Sequence, residues 1–150
     1  MISEGVLKEN IEKVIEPQIR ETFFGSLEGE LSSKVYEEIA KVHNIEVKEV
    51  FKNLGLKKLS DSMAQLDSSG LAETHDQCSQ RLIGWLQSFV SQHSFTEDVM
   101  NVCVITHGNV IRNIVHYLDP SLHVTRNIAN SSVTILACEN EASIKIEKFD

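Results

Sequence analysis

The chain has 150 residues, 41% hydrophobic and 24% charged, and its 14 Lys plus Arg against 22 Asp plus Glu give a net charge of −8. That is the length of one domain, able to bury a core without disulfides. The acidic balance excludes a general nucleic-acid binder and a chain that docks on anionic lipid, since both need a basic face.

Residues 2–15 carry Val6, Leu7, Ile11, Val14 and Ile15 at helical spacing, and Pro17 is expected to end that helix. A short extended piece near 16–20 follows, and the two glycines of 21–30 predict a loop. Ser32 or Ser33 is a candidate cap for a helix through His43 with Val35, Ile39 and Val42 on one face. Further helical pieces fit 46–54 and 58–66, and Asp67-Ser68-Ser69-Gly70 reads as a turn. The clearest helix is 72–92, with Cys78, Leu82, Trp85, Leu86, Phe89 and Val90 along one face. Asn101–Thr106 is a nearly continuous apolar run, the pattern of a strand covered on both faces. Residues 109–118 predict a helix with Val110, Ile111, Ile114, Val115 and Leu118 inward. Ser132–Glu139 and Ser143–Phe149 read as strands joined by Asn140-Glu141-Ala142 in a hairpin. Helices first, then strands with one strand–helix junction, define an α/β chain.

Three cysteines, Cys78, Cys103 and Cys138, form neither a CxxC nor a metal-ligand spacing. Cys103 and Cys138 lie in apolar runs and are expected to be core thiols, which fits a reducing, cytoplasmic location. No apolar stretch is long enough to span a bilayer, and Met1–Gly5 lacks the pattern of a signal peptide. Only four arginines occur, Arg20, Arg81, Arg112 and Arg126, so a site for a phosphorylated ligand draws on these, on Lys, on His or on backbone N–H groups.

The segment Val102–Asn109 holds the most chemistry. A predicted strand ends at His107, and Gly108 turns the chain into a helix. That geometry aims the imidazole at the carboxyl edge of a sheet, where open α/β sheets bind ligands. The first N–H groups of the helix, at Gly108 to Val110, favour an anion, and a protonated His107 adds positive charge. Taken alone, the same residues also fit a plain turn with a half-buried histidine. No GxGxxG or GxxxxGK[ST] segment supports a nucleotide-binding alternative.

Three motifs in order are IRETFFGSLEG at 19–29, ITHGNVIRNI at 105–114 and NSSVTIL at 130–136. Together they resemble the histidine phosphatase superfamily, the phosphoglycerate mutase-like enzymes, and most closely a small-phosphatase branch of Gram-positive bacteria. The resemblance implies a three-layer α/β/α fold over 1–150 with a helical cap insertion at about 31–70; along the helical stretch 31–92 over the site, Tyr36, Phe51 and Trp85 either shape substrate choice or form the cap core. It also implies a phosphomonoester hydrolase acting on a small phosphorylated substrate, without metal or cofactor. Carried over, Glu21 is the acid that protonates the leaving oxygen. His107 binds the transferring phosphoryl group with Gly108 and Asn109, and Asn130 supports the pocket. As an acid, Glu21 needs a pKa raised by burial or by the phosphate's charge.

The departure lies upstream. The family's nucleophile sits in an Arg-His-Gly motif on the first strand, and this sequence contains none; the arginine of a Ser-x-Leu-x-Arg segment is also absent. The pattern is therefore that of the family fold without its first two strands, and a chain inactive by itself. In that fold the strand carrying His107 lies between the two absent ones. Three states are then expected: the chain is a fragment of a longer protein, or residues 101–106 pair with a separate complementary N-terminal segment or with a second copy, or they rearrange onto 132–139. A non-catalytic module binding a phosphorylated ligand or a protein partner is the other reading.

Overall fold

The computed structural model describes residues 13–93, 100–122, 124, 128–140 and 143–149. Helix α1, Ser32–His43, starts after Leu31, which supplies no side-chain cap, so neither serine caps it. It stops at Asn44 in the left-handed region (φ 53°), whose N–H reaches the Ala40 and Lys41 carbonyls. Ile39 and Ala40 are buried, but Val42, expected on the same face, is 59% exposed. Two helical stretches, together α2 (Val50–Leu66), meet at a kink where Gly55 is non-helical (φ 68°, ψ 177°), in line with the two predicted pieces. The predicted start at 46 is instead a 3-10 turn, Val47–Glu49. Ile39, Ala40, Val50 and Leu59 form one apolar cluster, against which Tyr36 and Phe51 pack. Their rings meet edge-on with centroids 4.8 Å apart, so both serve as core aromatics of the α1–α2 unit.

Helix α3, His75–Gln92, follows the predicted pattern closely. Thr74 caps it by accepting from the Gln77 N–H, while the Gln77 side chain accepts from the Thr74 N–H, a reciprocal capping box. Thr74→Ala is expected to cost about 1 kcal/mol, read as a lower urea midpoint with an unchanged slope. Helix α4, Gly108–Leu118, buries Val110, Ile114 and Val115. Cys78, Leu82, Ile83, Trp85, Leu86 and Val90 of α3 pack with Val110 and Ile114 of α4, and Leu136, Cys138 and Ile144 close over them. Those last residues come from an antiparallel hairpin of β1 (Ile135–Asn140) and β2 (Ser143–Lys148). The predicted first strand began at 132, but residues 132–134 carry no ladder, and Asn140 belongs to β1 rather than to the connection.

Several expectations fail for want of long-range partners. The N-terminal helix falls mostly outside the described residues; within them, 13–16 are not helical, Val14 and Ile15 are 76% and 93% exposed, and Pro17 opens a 3-10 turn, Pro17–Ile19. The run 101–106 is not a strand. Among the described residues it pairs neither with β1 nor with anything else, and Val102, Val104 and Ile105 are 49%, 43% and 75% exposed. Cys103 is accordingly exposed rather than a core thiol; Cys78 is buried and Cys138 half-buried. No helix among the described residues is long and apolar enough to cross a membrane.

Candidate phosphate-binding site

The loop that carries Glu21 is held by two carboxylates. Glu73, just before α3, takes hydrogen bonds from Arg20 at 2.8 and 3.1 Å and from Arg81 at 2.8 and 2.9 Å. It also accepts from the Phe23 N–H at 2.9 Å, and its own N–H donates to the Phe23 carbonyl. Arg81 reaches on to the carbonyls of Gln18 and Arg20. Both guanidinium groups are thus occupied in fastening residues 18–23 to α3. Burial pushes the Glu73 carboxyl up, but the bonds from Arg81, Arg20 and Phe23 outweigh it and hold the pKa at about 2.

The second carboxylate, Asp67, gathers the turn at Gly25–Leu27. It accepts from the N–H and hydroxyl of Ser26 and of Ser69, and from the N–H groups of Leu71 and Ala72. The Ser69 hydroxyl and Ser26 N–H lead in holding its carboxyl far below the usual range. Gly25 sits at φ 59° directly against it.

Glu21 itself is half-buried, and its Oε1 accepts from the Thr22 N–H at 2.9 Å. Two residues earlier, the Ile19 carbonyl accepts from the Thr106 hydroxyl at 2.7 Å. One hydrogen bond therefore joins the glutamate loop to the residue before His107. His107 is the N-cap of α4, extended at φ −116°, ψ 164°, with no side-chain cap bond. Its imidazole is exposed and has no hydrogen-bond partner among the described residues. The N–H groups of Gly108, Asn109 and Val110 likewise make no hydrogen bond among the described residues, as the first turn of a helix leaves them. Asn109 faces inward: its Oδ1 accepts from Arg112 Nη1 at 3.0 Å and its carbonyl from Asn113 Nδ2 at 2.8 Å. Asn130 stands apart, exposed in a turn closed by the Ser132 N–H on the Ala129 carbonyl, with Ser131 at φ 64°.

The described structure thus brings the Glu21 loop and the His107–Gly108–Asn109 junction together and attaches no pocket contact to Asn130. Arg112, named in the sequence only as one of four arginines, is the one found beside this junction. Its Nη1 lies 3.4 Å from where a Cβ on Gly108 would sit, beside the first turn of α4. Burial pushes the Tyr36 phenol up, and the positive charge of Arg112 opposes it. The three- and four-residue spacing from Asn109 and Gly108 was the available signal. An open groove of about 610 Å³ on the α1–α2 unit, lined by Glu37, Lys41 and Glu46 among others, contains none of these residues.

The architecture is a phosphoglycerate mutase-like α/β fold. The crystal structure of phosphoglycerate mutase from Bacillus anthracis str. Sterne superposes with a TM-score of 0.76 at 24% sequence identity, over 88% of this chain and 57% of that one. The chain therefore spans little more than half the length of that protein. The model of the histidine phosphatase superfamily (branch 1) matches residues 3–148, and the chain belongs to that superfamily. No curated protein matches the sequence.

Proposed function

We propose that this chain forms the phosphoryl-binding and acid-bearing part of a cytoplasmic phosphomonoesterase of the histidine phosphatase type, acting on a small phosphorylated substrate. The observation that supports it most is the start of α4, where unbonded N–H groups, an exposed His107 and the Arg112 cation converge. Gly108 and Asn109 supply the N–H groups, His107 stabilises the phosphoryl charge, and Glu21 is the proton donor for the leaving oxygen. Asn130 has a supporting place only if the turn at 129–132 closes on the ligand. Covalent transfer needs a histidine nucleophile, and the sequence contains no Arg-His-Gly. These 150 residues by themselves are therefore expected to bind phosphate without turnover; the second reading is a non-catalytic module that binds a phosphorylated ligand or a protein partner.

Titration with inorganic phosphate, followed by the ring resonances of His107, tests the site. His107→Ala is expected to weaken phosphate binding at least tenfold, about 1.4 kcal/mol, with the melting temperature in phosphate-free buffer unchanged because the side chain is exposed. Equal phosphate affinity in the variant would remove the junction as the site. Hydrolysis of p-nitrophenyl phosphate by the chain alone, at a rate lost in His107→Ala, would overturn the expectation of binding without turnover.

A further inference from the structure

Helix α4 buries one polar residue among its apolar ones. Asn113 is 4% exposed, beside Val110, Ile114 and Val115. Its Oδ1 accepts from the Ser79 hydroxyl of α3 at 3.3 Å, and its Nδ2 donates to the Asn109 carbonyl at 2.8 Å. Arg112 Nη1 donates to the Asn109 Oδ1 at 3.0 Å. Both acceptors of Asn109 are thus engaged by residues three and four positions further along the helix. What remains on Asn109 are donors. Its backbone N–H is one of the unbonded groups of the helix start, and its Nδ2 makes no hydrogen bond among the described residues. The orientation of this amide is not free. A guanidinium has only donors, so it accepts Oδ1 and excludes Nδ2 from its side. Turned over, the amide would lose that bond and set donor against donor.

We propose that Arg112 is a positioning residue for the phosphoryl site: its bond to Oδ1 orients the Asn109 amide so that Nδ2 donates to the bound phosphoryl group together with the N–H of the same residue. This rests on the phosphoryl-binding reading of the α4 start and gives that site a side-chain donor besides its backbone ones. Two donors on one half-buried residue suit a phosphoryl group, whose oxygens only accept when it is fully ionised. Action through Asn109 fits better than Arg112 as a direct ligand. The Nη1 that lies against the first turn, 3.4 Å from the Cβ position of Gly108, is the same nitrogen that Asn109 engages. Asn113 meanwhile holds the Asn109 backbone to α3 through Ser79, so the amide is carried on a fixed turn.

Titration of the isotopically labelled full chain with inorganic phosphate tests this. The side-chain amide resonances of Asn109 are expected to shift with the same phosphate dependence as the His107 ring. Asn109→Ala and Arg112→Met should each weaken phosphate binding about fivefold, and the double variant also by about fivefold, because both changes remove one donor. In Arg112→Met the Asn109 amide should stop responding while the His107 ring still titrates. A merely structural Arg112 would lower the melting temperature and leave the Asn109 response at saturation intact, which would overturn the proposal. Losses that multiply to about 25-fold in the double variant would overturn it in favour of Arg112 as a direct ligand. Wild-type affinity in Asn109→Ala, a change that leaves Arg112 in place, would overturn it as well. An Asn109 amide that stays unmoved while the His107 ring shifts would remove the positioning role alone. No shift at either residue would remove the phosphoryl-binding reading, and the positioning role with it.

Discussion

Glu73→Gln is expected to lower stability by about 2–3 kcal/mol at neutral pH, roughly 5–10 °C in melting temperature for a chain of this size. The carboxylate is the common acceptor for Arg20, Arg81 and the Phe23 N–H, and its side chain is 13% exposed. An amide keeps the shape but removes the charge and places a donor against two guanidinium groups. The Arg20 side chain is 48% exposed and regains water, which limits the loss; Arg81, at 15%, does not. The pH dependence carries the same signature. Because the folded pKa of Glu73 is depressed to about 2 from the ordinary 4.5, its contribution is complete above about pH 4.5 and disappears as pH falls toward 2. Thermal melts from pH 7 to 2 should show the wild type and Glu73→Gln converging over that window. Parallel curves would mean that the ion pair contributes nothing. The loop carrying Glu21 should loosen first, visible as faster amide exchange at 18–24.

Gly25→Ala is expected to cost about 2–4 kcal/mol. Its φ of 59° already disfavours any L side chain, and a Cβ there would come within 2.4 Å of the Asp67 carboxyl group. Asp67 cannot move aside without releasing the Ser26, Ser69, Leu71 and Ala72 donors that surround it. Gly70 provides the control. It has φ 70° but open space around its missing Cβ, so Gly70→Ala should cost only about 1 kcal/mol. Urea melts of the two variants separate steric exclusion by Asp67 from backbone strain alone; equal losses would show that the Asp67 contact yields.

These two carboxylates explain why the glutamate loop is ordered although it contains little buried apolar surface. Its shape is imposed from α3 and from the turn at 67–72, and the Thr106–Ile19 bond passes that order to the His107 junction. The sequence offers four arginines as scarce cations suited to phosphate, Arg20, Arg81, Arg112 and Arg126, and Glu73 engages the first two. Arg112 lies beside the helix start, where its Nη1 donates to the Asn109 Oδ1.

What the sequence determined by itself was local. The apolar faces of α3 and α4, the turn at 67–70, the hairpin and the His107–Gly108 helix start follow from spacing and turn chemistry within a few residues. The three ordered motifs carried the superfamily. What only the tertiary structure decided was every feature that depends on a distant partner. An apolar run such as 101–106 becomes a buried strand only if other strands and helices cover it; without them its side chains stay in water and Cys103 is exposed. Val42 lies on the apolar face of α1 by spacing but faces solvent, since α2 packs against Tyr36, Ile39 and Ala40 and leaves it uncovered. The roles of Arg20 and Arg81 turned on the Glu73 carboxylate lying 2.8 Å from each. Periodicity records which side chains avoid water, whereas pairing across dozens of residues is settled by which groups the fold brings into contact.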